Sequence, residues 1–338
     1  MASFKHCAAV VLLAVAPFAP AGAAEVSLRP GVHGVLRPRY EVSLSSGESR
    51  FQVRNARLSL DGRIAARAEW FMQVDLCDRG SIKPLDFWAR LALGGGLKLQ
   101  AGQFRMPFGV DPFRAPANYV FANRSFIGKQ ICNYRAVGFK LSYTLPCTLP
   151  VVAEGGVFNP YTIGNHDVWS KDMAYAAKAT LGLQDVRLAG GFMSICPDGV
   201  RANLSDVCLG WGDTRWNIEA EYMYEHYTNR AHKPCHGFNV FADYRFPVRL
   251  TMFNRMSVQA RFDAMTAHSN CRKNDTGTLT TDDGGRRRLT LGWTVSHIHS
   301  PAVYADLRLN FEKYFYDEAV EQEVRETDRL LLEMVFRF

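Results

Sequence analysis

LKLQAGQFRMPFGVDPFRAPANYVFANRSFIGK, residues Leu97–Lys129, places two kinds of sequence side by side. It begins as a strand. Leu97, Leu99 and Ala101 alternate with Lys98, Gln100 and Gly102, and a period of two puts these sets on opposite faces. At Pro107 the pattern stops. Pro107, Pro112 and Pro116 cannot donate to a ladder, so the chain has left the sheet interior. A long loop rich in Phe, Pro, Asn and Arg takes over, with Arg105, Arg114, Arg124 and Lys129 set against one acid, Asp111. Long loops without secondary structure of their own are uncommon in compact domains and are usually functional. The stretch predicts a barrel whose third long loop folds inward and narrows it, the other strands forming the wall.

Strand patterns of the same kind fill the rest of the chain. Trp216, Ile218, Ala220, Tyr222 and Tyr224 alternate with Asn217, Glu219, Glu221 and Glu225. Val303, Ala305, Leu307, Leu309 and Phe311 alternate with Asp306, Arg308, Asn310 and Glu312. Composition is 47% hydrophobic, yet beyond residue 24 no apolar run approaches the roughly 18 residues of a spanning helix. Apolar residues spread in alternation suit a transmembrane β-barrel, which meets lipid on one face of each strand and water on the other.

Fifteen strands are evident, and single-chain bacterial barrels have an even number. Short turns and long loops should alternate between the two rims. Counted from each end of the chain, the two series clash between residues 195 and 213. A strand at 203–211 resolves the clash, because Val207, Leu209 and Trp211 alternate there with Asp206 and Cys208. The expectation is an all-β, sixteen-stranded antiparallel barrel, with a last strand running Leu330, Leu332, Met334, Phe336, Phe338 to the final residue.

Residues 1–24 read as a targeting segment: Lys5, an apolar Cys7–Pro20 too short for a membrane helix, then Ala21-Gly22-Ala23. Residues 25–338 read as one outer-membrane domain, since no Gly/Ser-rich linker divides them. The formal charge is +7 with Lys5 included, but the cations are dispersed among 33 acids, which argues against nucleic acid. No CxxC occurs and no His/Cys spacing suits a metal, so no cofactor is expected. An odd number of cysteines lies beyond residue 24: Cys77, Cys132, Cys147, Cys196, Cys208, Cys235 and Cys271. No GxSxG elbow or demanding Ser/His pair suggests an enzyme.

Three segments resemble the phosphate-selective porin O and P family: Ala56–Gly62 together with Glu69–Asp75, the run Gly102-Gln103-Phe104-Arg105-Met106-Pro107-Phe108-Gly109, and the terminal Arg337-Phe338. The resemblance implies a sixteen-stranded outer-membrane porin, assembled as a homotrimer, with its third loop inside the pore. The chain departs from it in its short outer loops and in its cysteines, and loop content bears on solute preference.

Strand parity places Arg57, Arg67, Arg90, Lys98, Lys140, Glu69, Asp75, Glu219 and Glu221 on the lumen wall, a mixture of signs. The loop breaks the tie. Lys98, Arg105, Arg114, Arg124 and Lys129 would form a basic path for small anions such as phosphate, because Arg and Lys at a constriction favour anions. The competing arrangement pairs the loop cations with wall carboxylates such as Glu219 and Glu221 and leaves a neutral throat. The competing function is a structural or adhesive barrel with a plugged lumen.

Overall fold

In a computed structural model, the segment 203–211 is a strand, and it shows how the whole wall is built. Asp206 and Cys208 are buried while Val207, Leu209 and Trp211 are exposed. The next strand repeats the pattern, with buried Glu219 and Glu221 against exposed Ile218 and Tyr222. Polar residues face in and apolar residues face out, the inverse of a water-soluble sandwich. The structure describes residues 30–338 apart from 79, 133, 147–148, 197–198, 229–231, 268–283 and 318–325. The proposed targeting segment, Cys147, Cys271 and most of the outer connections 267–286 and 314–327 lie outside the described residues. Among the described residues Cys77, Cys132, Cys196, Cys208 and Cys235 are free thiols.

The strands are β1 (Gly31–Ser43), β2 (Ser49–Ala65), β3 (Ala68–Asp78), β4 (Ser81–Gly94), β5 (Leu97–Arg105), β6 (Arg135–Thr144), β7 (Val151–Phe158), β8 (Ala174–Leu183), β9 (Val186–Ile195), β10 (Ala202–Gly212), β11 (Trp216–Tyr227), β12 (Cys235–Pro247), β13 (Arg255–Met265), β14 (Arg286–Ile298), β15 (Tyr304–Tyr316) and β16 (Arg329–Arg337). Each pairs antiparallel with its neighbours in sequence, and β1 pairs with β16, so the sheet closes. Closure removes every free edge, which a sheet in hydrocarbon requires. Gly34 and Phe338 exchange backbone hydrogen bonds of 2.8 and 3.1 Å and tie the first strand to the last residue.

The two rims differ. At the rim where β1 starts and β16 ends, the connections are short, such as 66–67, 95–96 and 184–185. The opposite rim carries the long connections 106–134 and 159–173. Short turns mark the periplasmic side of such a barrel. A sixteen-stranded closed barrel with an apolar outer surface is built for the bacterial outer membrane.

Two local features re-aim the wall. Where β1 meets β2, Arg37 pairs with Asn55 and Pro38 with Val53, so Arg54 is an extra residue on β2 and strict alternation fails in that strand. Gly102 has φ +125°, and a Cβ on it would sit 2.1 Å from the Phe87 carbonyl oxygen, so the β4–β5 approach requires glycine.

Candidate functional site

Residues 106–134 carry little regular structure: short helical turns at Asp111–Phe113 and Pro116–Asn118, and a π-helical turn at Ile127–Ile131. Their backbone groups therefore need partners from elsewhere. Side chains of the wall supply them. Glu221 accepts the backbone N–H groups of Val110 and Asp111 at 2.6 and 2.8 Å. Asn310 accepts Ala122 N–H at 2.6 Å, and Asp263 accepts Phe126 N–H at 2.8 Å. Guanidiniums satisfy the carbonyls. Arg37 donates to Ala122 at 2.6 Å, Arg261 to Asn123 at 2.8 Å and Arg288 to Arg124 at 2.6 Å.

An apolar cluster backs these bonds. Phe104, Met106, Phe108, Phe126, Ile127 and Ile131 pack with Phe158, Met193, Leu204, Met223 and Met265 of the wall. Here parity misleads. Several inner-face positions from β7 to β13 are apolar, because the loop needs a core of its own to hold a fixed shape.

Cys208, Glu219 and Glu221 bring a thiol and two carboxylates within 4.8 Å. Their oxygens already have work: Glu219 pairs with Arg114 and Arg187, and Glu221 caps the loop backbone. The group anchors the loop rather than offering free metal ligands. Asp111 belongs to the same anchor. Burial would raise its pKa, but Arg114 at 2.7 Å and the hydroxyl of Ser125 outweigh that and hold it below the usual carboxylate value.

The side toward β1–β4 is different. A cavity of about 530 Å³ lies there, lined by eleven Arg or Lys side chains and two carboxylates, Asp75 and Glu326. A second cavity of about 260 Å³ continues toward the short-turn rim and shares Arg57 and Arg135 with the first. These two arginines have carboxylate partners: Arg57 meets Asp75 at 3.2 Å, and Arg135 meets Asp86 at 3.0 and 3.1 Å. Two neighbouring guanidiniums have none among the described residues. Arg105 donates to the carbonyls of Pro112 and Arg114, both at 2.7 Å, and its Nε is unpartnered. Arg124 has unpartnered Nε and Nη2. Beside Arg124 stands Tyr119, with Arg37 5.2 Å and Arg124 6.0 Å from its ring centroid. Burial raises the Tyr119 phenol, but Arg124, Arg105, Arg57 and Arg37 outweigh it and hold it below its ordinary value.

The expected site residues thus separate. Arg105 and Arg124 come together at the junction of the two cavities. Arg114 is tied to Asp111 and Glu219, and Lys129 to Glu326 at 2.6 Å. Lys98 is exposed at the start of β5, the far end of the strand from Arg105. On the wall, Arg90 meets Glu69 at 2.9 Å and Lys140 meets Glu154 at 2.6 Å. Arg67 lies in the 66–67 turn and not on the wall, because β2 ends at Ala65 and β3 begins at Ala68. Sequence reading passed over Arg37, Arg39, Arg50 and Arg54, which all line the larger cavity. Alternation of Arg37, Arg39 and Glu41, and of Arg50, Gln52 and Arg54, was the available signal.

Neither a family model nor a curated protein matches the sequence. Solved structures do match the fold. OmpT of Vibrio cholerae, in a trimer form, superposes with TM-score 0.61 at 10% identity, over 92% of this chain and 99% of that one. An anion-selective porin from Comamonas acidovorans matches with TM-score 0.57 at 12% identity, over 92% and 99%. OprB of Pseudomonas putida matches with TM-score 0.56 at 10% identity, over 91% and 94%. At these identities the likeness establishes a porin-type barrel fold.

Proposed function

We infer that the protein is an outer-membrane diffusion pore, without enzymatic activity, that passes small hydrophilic solutes and favours anions, phosphate among them. The 106–134 segment is the constriction, packed against one side of the lumen and leaving a water path along the other. The observation that carries this reading is the junction at Arg57, Arg105, Arg124 and Arg135, where two guanidiniums lack carboxylate partners among the described residues. Fixed charge in a narrow, poorly solvated passage acts more strongly than in bulk water. The acids that would oppose it, Glu219, Glu221 and Asp263, are engaged by the loop and its arginines. The match to a porin described as anion-selective points the same way. A homotrimer is proposed with it, supported by the trimer form of one neighbour.

The test is reversal potential in a KCl gradient across a planar bilayer. Wild type should favour chloride, and Arg124→Ala and Arg105→Ala should each move the potential toward potassium. Arg114→Gln should move it less, since that charge is already neutralised. Salt should weaken the preference as the Debye length falls from about 10 Å at 0.1 M to about 3 Å at 1 M. A pore that favours potassium, or a barrel that does not conduct at all, overturns the reading. The native mass in mild detergent should equal three chains.

A further inference from the structure

The cavity below the junction differs in kind from the one above it. Phe71 and Trp88 stack there with ring centroids 5.4 Å apart and planes 20° apart. Phe104 faces the same space, and the Arg90 guanidinium lies 4.3 Å from the Trp88 ring centroid. Above these rings Arg105 lines the same cavity, with no carboxylate partner among the described residues. An inorganic anion gains nothing from ring faces. A neutral sugar could stack on them but would leave the guanidinium without a counter-charge. A flat ring carrying one carboxylate uses both: the ring packs against the Phe71–Trp88 pair and Phe104, which line the cavity, and the carboxylate meets Arg105. A volume of about 260 Å³ lies below the range that holds drug-sized ligands, so it suits a single ring.

We propose that this lower cavity is a binding subsite for aromatic monocarboxylates of benzoate size. The proposal rests on the reading that solutes cross the barrel by this route. Its test uses single pores in planar bilayers bathed in KCl, with benzoate, acetate, benzamide or glucose added and the fall in chloride current recorded. Benzoate should halve the current at a concentration on the order of tenfold below acetate, the effect of one aromatic contact. Benzamide and glucose should act more weakly than benzoate. Trp88→Leu should bring benzoate close to acetate, and Phe104→Leu should act in the same direction. If Trp88→Leu does not insert, Phe71→Leu removes the other ring of the stack and replaces it in the test. Equal potency of benzoate and acetate in wild type overturns the proposal. So does an advantage for benzoate that survives both substitutions, or glucose acting more strongly than benzoate. The reversal potential in KCl alone reads the charge preference separately, so failure there is distinguishable from failure of the subsite.

Discussion

The two sides of the lumen hold the same residue types and put them to opposite ends. Toward β10–β15, carboxylates and guanidiniums are bonded to the loop: Glu221 and Asp263 to its N–H groups, Arg261 and Arg288 to its carbonyls. Toward β1–β4, guanidiniums line water-sized space, and at the junction Arg105 and Arg124 lack carboxylates among the described residues. The lesson is that counting charges on a barrel wall does not give its selectivity. A charge acts on a solute only to the extent that the protein has not already satisfied it.

The largest effect should come from cutting an anchor. Asp263 is fully buried and accepts from Phe126 N–H at 2.8 Å and from Arg288 at 2.8 and 3.1 Å. Asp263→Ala leaves two buried guanidiniums, Arg261 and Arg288, to share the single carboxylate of Glu312 and leaves Phe126 N–H unbonded, a loss of about 3–5 kcal/mol. The expected outcome is a lower urea midpoint in detergent and a larger, noisier single-channel conductance as the loop leaves its seat. Asp75→Asn, on the open side, should cost much less, because water can reach that cavity. Equal losses from the two substitutions would erase the distinction between the sides.

Alkaline titration sharpens the comparison from the open side. Tyr119 is neutral when protonated, and the guanidiniums around it favour its phenolate. Raising the pH from about 7 toward about 10 should place a negative charge at the junction earlier than an ordinary tyrosine would. The preference for chloride should therefore decline over that range, and Tyr119→Phe should lack this component while keeping any decline due to lysines. Identical pH profiles for wild type and Tyr119→Phe would remove Tyr119 from the junction.

How far the sequence reveals this arrangement depends on the range of the interaction. Strand count was legible because alternation is local: Val207, Leu209 and Trp211 are enough to detect β10, and rim parity to require it. Face assignment by period two depends on an unbroken ladder and fails where the backbone departs from it. The extra residue Arg54 on β2, opposite Arg37 and Pro38, and the turn at Arg67 are such places. The apolar inner positions Phe158, Met193 and Leu204 were not legible as a core, since an apolar residue in a barrel strand reads first as lipid-facing. Least legible were the pairings. Arg114 finds Glu219 105 residues away, and Arg37 finds Glu333 296 residues away. Only closure of the sheet brings those positions together, so the sequence could name the loop cations but not say which of them would be neutralised.

The smallest expected effect tests that last distinction at the outer mouth. Lys129 reaches Glu326 at 2.6 Å, but its side chain is nearly half exposed, so the pair should contribute under about 1 kcal/mol. Burial raises Glu326, yet Lys129, Arg288 and Arg329 together pull it down to about 2. Its folded value is thus below the unfolded value of about 4.3, so its contribution is present above that pH and is lost as the pH falls toward 2. Lys129→Ala should lower the thermal midpoint slightly at neutral pH, and the difference from wild type should shrink steadily below about pH 4. The same substitution should move the KCl reversal potential less than Arg124→Ala, because Lys129 is paired with Glu326 and Arg124 has no carboxylate partner among the described residues. A shift as large as that of Arg124→Ala would mean that the upper cavity, rather than the junction below it, sets the sign of the ions that pass.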